Sequence, residues 1–169
     1  MNEIQMDKKN RTMNNVGNKW LSSKLWGYSA AVVLMPYAVM KTLWAFGIAL
    51  GWSDKGISEL HISMNSGNPV IYFLYSYGID ITAILACVAS LLGLSLVQSW
   101  GRKIDRRLIL LPAWLGGTAF TYFGSAGLNI LRHAEIGDMQ LWVCILVYGG
   151  FLLWGMTTIL AAVSFQNRK

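Results

Sequence analysis

The sequence predicts an all-α membrane protein built as a four-transmembrane-helix bundle, with both termini in the cytoplasm. Three observations predict this fold class. The chain of 169 residues is 54% hydrophobic and only 13% charged, whereas a soluble domain usually carries about 25% charged residues. Its apolar residues fall into four blocks that are long enough to cross a bilayer. Its basic residues collect on one side of those blocks.

The four predicted spans cover residues 25–50, 70–97, 108–131 and 141–165. A spanning helix needs about 20 apolar residues, because the hydrocarbon layer is about 30 Å thick and a helix rises about 1.5 Å per residue. Helices are expected because the backbone in lipid must satisfy its own hydrogen bonds. Together the spans form a transmembrane domain over residues 25–165. A disordered, basic cytoplasmic tail is predicted at 1–24, and a short cytoplasmic tail at 166–169.

The orientation follows from the placement of lysine and arginine, which are enriched on the cytoplasmic side of membrane proteins. Of the 14 basic residues, five lie in the N-terminal tail, four in the joint 98–107 and two in the C-terminal tail. The opposite side holds only Lys55 and Arg132. Both termini are therefore predicted to be cytoplasmic. The net charge of +6 follows from this asymmetry and indicates no nucleic-acid partner.

Two joints are predicted on the outer side: a long polar loop at 52–69 and a short joint at 132–140.

Pro36 predicts a kink in the first helix, one turn before Lys41. Pro112 falls near the start of the third helix, where proline is tolerated. Glycines in the last two helices indicate close helix packing. In the third helix these glycines are Gly116, Gly117, Gly124 and Gly127. In the fourth helix they are Gly149, Gly150 and Gly155.

Two ionisable residues fall inside the predicted spans, Lys41 in the first and Asp80 in the second. A charge at the bilayer centre costs at least about 2.5–3.5 kcal/mol, so such residues usually face the bundle interior and pair with one another. By helical rise, both residues lie roughly 14 Å below the outer surface. We therefore predict an ion pair between these antiparallel neighbours near the midplane. It serves either as a structural staple or as part of a binding or proton-linked site.

Polar and aromatic side chains recur at helical spacing at a similar depth. In the third helix, Tyr122, Ser125 and Asn129 follow Thr118 at spacings of four, three and four, which places them on one face. Together such groups would line an outward-opening cavity between the helices, but for the third-helix stripe ordinary helix packing is the favoured interpretation. The predicted cavity residues are Tyr37, Lys41, Trp44, Ser76, Tyr77, Asp80, Tyr122, Ser125, Asn129 and Tyr148.

No catalytic or metal-binding motif is visible in the sequence. It contains no C-x-x-C, no P-loop, no H-E-x-x-H and no G-x-S-x-G. Cys87 and Cys144 differ in predicted depth by about 20 Å, which is too far for a disulfide. His61 and His133 fall on the outer side without the spacing of metal ligands. The sequence therefore predicts no cofactor and no metal, and it leans away from an enzyme.

Three stretches carry a resemblance to known proteins. They read PYAVMKTLWAFG at 36–47, WGR at 100–102 leading to LLPAWLGG at 110–117, and VYGGFLLWG at 147–155. Together they resemble uncharacterised four-helix integral membrane proteins of Gram-positive bacteria. The resemblance implies the four-span topology and a bacterial plasma membrane, and it implies no activity.

The predicted function is that of a small bacterial plasma-membrane protein whose cavity binds or transports a small polar or amphipathic solute, with or without proton coupling. A homo-oligomer or a larger membrane complex would suit this role, because four helices make a narrow bundle. The alternative is a non-catalytic accessory, sensor or immunity-type protein that acts through a protein partner. In that case the outer loop 52–69 or the basic inner joint would carry the contacts. A membrane-embedded enzyme acting on lipid or quinone is a further alternative.

Overall fold

A computed structural model of the protein describes residues 23–131 and 138–168. Within these ranges the regular structure is helical, apart from one isolated antiparallel bridge between Trp52 and Met139. Nearly all of the predicted disordered tail lies outside the described residues. The same holds for positions 132–137 of the short outer joint, which include His133, and for position 169 in the C-terminal tail.

Seven α-helices occur in the described part of the chain. They are α1 (Leu25–Val33), α2 (Met35–Ala45), α3 (Asp54–Asn65), α4 (Pro69–Ser76), α5 (Ile81–Ser95), α6 (Arg106–Ile130) and α7 (Leu141–Asn167). A 3₁₀ turn at Ser99–Lys103 joins α5 to α6. The helices α6 and α7 are each long and apolar enough to cross a membrane, and the bent pair α4–α5 adds a third candidate if it forms one span. The structure thus supports a membrane protein, while the four-span bundle with cytoplasmic ends stays a prediction.

The first predicted span, 25–50, is instead two shorter helices that end at Ala45. They meet at Leu34, and Pro36 lies in the first turn of α2. Proline has no N–H to bond to the preceding turn, so the helix breaks close to the predicted kink. Gly47 has a φ of +79°, a conformation that glycine adopts readily and that ends the helical path.

The outer joint that was predicted to be a polar loop contains helix α3. Ser53 caps this helix, because its hydroxyl oxygen accepts a hydrogen bond from the Gly56 N–H at 3.0 Å. Ile57 is 5% exposed and lies in one apolar cluster with Trp44 and Val143. Burial of this apolar side holds α3 against α2 and α7.

The second predicted span, 70–97, is broken between α4 and α5, which meet at 86°. Gly78 has a φ of +74°, which favours glycine over residues with a Cβ. Asp80 then caps α5, because its carboxylate accepts a hydrogen bond from the Thr82 N–H at 2.7 Å. The apolar run is continuous enough to predict one helix, but the glycine and the cap interrupt it.

Helix α7 packs along α6 on one side and along α1 on the other, while α5 packs against α1 and α2. Small residues bring α6 and α7 close together, as the glycines predict. A Cβ at Gly124 would collide with the backbone of Leu152, and one at Gly155 would collide with Thr121. By contrast, a Cβ at Gly149 would meet open space.

Arg168 joins the ends of α5 and α7. Its Nη2 donates a hydrogen bond to the Leu96 carbonyl oxygen at 2.6 Å, and its Nε donates to the Ser164 carbonyl oxygen at 3.2 Å. Both acceptors belong to the last turn of a helix, where carbonyl groups lack partners within the helix. Arg168, in the predicted C-terminal tail, therefore acts as a cap for two helices.

Replacement of Gly78 by alanine is expected to lower thermal stability more than replacement of Gly47. Both glycines have positive φ, so each substitution carries about 1–2 kcal/mol of backbone strain. A Cβ at Gly78 would also collide with the Phe46 ring, whereas the space beside Gly47 is open. Melting of the two purified variants in detergent measures the difference. Equal losses would show that the Phe46 ring, which is 65% exposed, moves aside without cost.

Candidate functional site

Lys41 in α2 and Asp80 at the start of α5 form an ion pair. The Lys41 Nζ lies 3.2 Å from Asp80 Oδ2, and the two side chains are 12% and 2% exposed. Lys41 lies about one turn before the end of α2, and Asp80 caps α5. The predicted contact between the two residues is therefore present, but their predicted mid-helix positions are not. The position of the pair in a membrane stays a prediction.

The two carboxylate oxygens of Asp80 have different surroundings. Oδ1 accepts hydrogen bonds from the Thr82 N–H at 2.7 Å and from the Thr82 hydroxyl at 2.5 Å. Oδ2 is buried and accepts no hydrogen bond within the described residues, so its contact with Lys41 is electrostatic. Tyr37 and Thr82 both line a further small pocket of about 140 Å³. Thr82 thus contacts the ion pair directly, and Tyr37 lies near it.

Lys41 lines a cavity of about 200 Å³ between α2, α3 and α7. Its Nζ lies 5.5 Å from the centroid of the Trp44 ring, a distance at which a cation is attracted to an aromatic face. Four predicted site residues, namely Tyr37, Lys41, Trp44 and Tyr148, come together in this cavity. The remaining lining residues are Trp52, Leu60, Met139, Cys144 and Val147.

Asp80 lines a second space, an open groove of about 530 Å³ between α2 and α5. Apart from Asp80, the groove is almost entirely apolar. Its other lining residues are Met35, Ala38, Val39, Thr42, Leu43, Gly78, Ile79, Ala83, Ile84 and Cys87. Because Lys41 lines the cavity and Asp80 lines the groove, the ion pair lies between the two spaces.

The other predicted site residues lie away from the ion pair. Ser76 and Tyr77 are exposed, because the bend between α4 and α5 turns this part of the chain outward. Tyr122, Ser125 and Asn129 are exposed on α6, whose glycines face α7 instead. The prediction that the third helix lines the cavity therefore does not hold in the structure.

Three residues near the site were not predicted. Thr82 follows Asp80 by two residues, a spacing at which a capping carboxylate bonds to the backbone, and this signal could have revealed it. Tyr75 is 4% exposed, and its hydroxyl has no hydrogen-bond partner within the described residues. Its ring lies edge-on to that of His61 at 5.0 Å, and His61 Nε2 lies 3.0 Å from the Trp44 carbonyl oxygen. No pattern in the sequence indicates these contacts with α3.

Within residues 23–131 and 138–168, no group of three or more His, Cys, Asp or Glu side chains could hold a metal ion. Cys87 is exposed and Cys144 is buried, and both are free thiols.

No protein family matches the chain, and neither a curated protein nor a solved structure matches it. The resemblance to four-helix membrane proteins stays a prediction, and the ion pair and the spaces beside it are the features that bear on function.

Proposed function

We propose that this chain is a multi-pass protein of the bacterial plasma membrane that binds a small anionic solute at Lys41 and carries it across the bilayer with a proton. In this proposal α1–α2 and α4–α5 supply two further spans, and both termini are cytoplasmic. The Lys41–Asp80 pair carries the proposal, because it joins the 200 Å³ cavity to the larger groove.

The lining of the cavity favours a small solute with a negative charge. Its volume of about 200 Å³ is below the range of about 300–1,000 Å³ that is usual for drug-sized ligands. The Lys41 ammonium group and the hydroxyls of Tyr37 and Tyr148 can all donate hydrogen bonds to it. The Trp44 and Trp52 rings supply apolar walls. A small carboxylate matches this combination of one cation, hydroxyl donors and limited space.

Electrostatics couples the solute to a proton. An anion that takes the Lys41 ammonium group leaves Asp80, which is 2% exposed, without its cation. A buried carboxylate without a partner favours the neutral acid. One proton for each anion therefore restores neutrality at the site. The Thr82 hydroxyl, which donates a hydrogen bond to Asp80 Oδ1, offers one step of a path for that proton.

Lactate is a suitable probe of the proposed site. We expect lactate to raise the melting temperature of the purified protein, more at mildly acidic than at mildly alkaline pH, and neutral mannitol to have no effect. Saturation at a hundred times Kd stabilises a protein by about 2.7 kcal/mol. The variant Lys41→Met/Asp80→Asn should lose the response. Stabilisation by lactate that persists in this variant would remove the ion pair from the mechanism.

One observation favours the accessory role as a second candidate. Helix α3 is amphipathic, packs its Ile57 side on the bundle and exposes Ile62 at 68%. This outward face could bind a protein partner on the outer side. In that case Ile62→Ser should abolish co-purification of a stoichiometric membrane partner while leaving any lactate response unchanged.

A further inference from the structure

Helix α6 carries a continuous exposed stripe on the side that faces away from α7. Seven residues follow one another at alternating spacings of three and four, the repeat of a coiled-coil seam. All seven are exposed, with Leu108 at 70%, Leu115 at 65% and Tyr122 at 68%. The α6 stripe consists of Leu108, Leu111, Leu115, Thr118, Tyr122, Ser125 and Asn129.

The polar end of the stripe does not suit contact with lipid chains. The Ser125 hydroxyl donates to carbonyl oxygens of its own helix. The Tyr122 hydroxyl and the Asn129 amide have no hydrogen bond within the described residues. Polar side chains on membrane helices commonly bond across helix–helix interfaces. The apolar half of the stripe needs no partner in lipid, whereas the Tyr122 hydroxyl, about two turns inside the end of α6, does.

We propose that the α6 stripe is the interface of a parallel homodimer, in which α6 packs against α6 of a second copy. Two copies inserted with the same orientation are related by a two-fold axis along the membrane normal, so each stripe residue lies beside its own counterpart. This arrangement requires a seam without charges, and the stripe has none. Hydroxyl and amide groups both donate and accept hydrogen bonds, so Tyr122 and Asn129 can pair with themselves.

The heptad spacing also fits a second helix better than lipid. A repeat of 3.5 residues keeps one face in register with a partner helix through a left-handed supercoil. Membrane bundles mostly use this crossing geometry. A single asparagine in such a seam favours two parallel strands in register. The inference rests on α6 crossing the membrane, and it is independent of the proposed solute site.

Cysteine cross-linking of the full chain in liposomes tests the interface. In a Cys87→Ser background, where the remaining Cys144 is buried, Ser125→Cys should form a disulfide-linked dimer under mild oxidation. Phe123→Cys is the matched control, because this residue is exposed at a similar depth but lies off the stripe. Equal cross-linking at both positions, or none at Ser125→Cys, would overturn the proposal.

Counting of photobleaching steps for the fluorescently labelled chain in dilute liposomes gives an independent measurement. We expect two steps for the parent chain and a roughly tenfold weaker dimerisation constant for Tyr122→Leu/Asn129→Leu, a factor that corresponds to about 1.4 kcal/mol. The variant must retain the helical circular dichroism of the parent chain; if it does not fold, the cross-linking pair decides. A single step for the parent chain, a higher oligomer, or no change in the variant would contradict a two-fold dimer at this stripe.

Discussion

Replacement of Asp80 by asparagine is expected to destabilise the protein by about 3–5 kcal/mol, because it leaves the Lys41 ammonium group buried without a counter-charge. Asparagine caps a helix as well as aspartate does, so the start of α5 is retained and the loss reports on the ion pair. The variant Lys41→Met/Asp80→Asn should recover most of the lost stability, since it leaves no uncompensated charge. Thermal unfolding of the purified variants in detergent measures both effects.

The exposed pair Lys55–Glu59 provides the matched control. Its Nζ–Oε1 distance is 3.8 Å, and its side chains are 76% and 63% exposed. Lys55→Met should therefore cost less than about 1 kcal/mol. If Asp80→Asn is as mild as Lys55→Met, or if the double variant is no more stable than Asp80→Asn, then burial does not couple the two charges as we describe.

Replacement of Gly155 by alanine is expected to separate α6 from α7 and to cost about 1–3 kcal/mol. A Cβ at this position would meet the side chain and backbone of Thr121 and the carbonyl oxygen of Gly117. Two of these three atoms belong to the backbone of α6, so they cannot move without shifting the helix. The measurement is the melting temperature of the variant beside that of the parent.

Gly149→Ala tests the same helix with the opposite expectation. No atom lies near the Cβ position of Gly149, and alanine is a better helix former by up to about 1 kcal/mol. We therefore expect Gly149→Ala to be neutral or stabilising. A similar loss for both variants would contradict this account, because only Gly155 lies against α6 and helix propensity favours alanine at both positions.

Charge and composition allowed part of the site to be predicted. A lysine and an aspartate on neighbouring apolar segments predict a pair whatever the local backbone, because each is costly alone in an apolar environment. The backbone around Asp80 was missed, because hydropathy averages over a window and ignores a single residue with positive φ. Gly78 followed by Asp80 and Thr82 indicates a turn and a helix cap. These local residues predict the break in the helix better than the hydropathy of the surrounding apolar run does.

The polar stripe of the third helix shows a different limit. Its spacing correctly places Tyr122, Ser125 and Asn129 on one face, but periodicity does not tell which face packs inside the chain. In a membrane protein, hydrophobicity does not distinguish the two faces, because lipid is as apolar as the core. Close approach of the helices determines which face of α6 packs inside the chain, because Gly124 and Gly127 allow α7 to approach and the hydroxyl face does not.

The break before Asp80 leaves α5 short for a spanning segment. Its 15 residues extend about 22 Å by helical rise, against a hydrocarbon thickness of about 30 Å. Where α5 supplies the whole membrane-crossing part of the α4–α5 pair, local thinning of the bilayer is one response to this hydrophobic mismatch. Head groups and water would then approach Asp80 at the start of α5. The free-energy cost of the ionised Asp80 side chain would then fall. That cost would depend on the thickness of the host membrane.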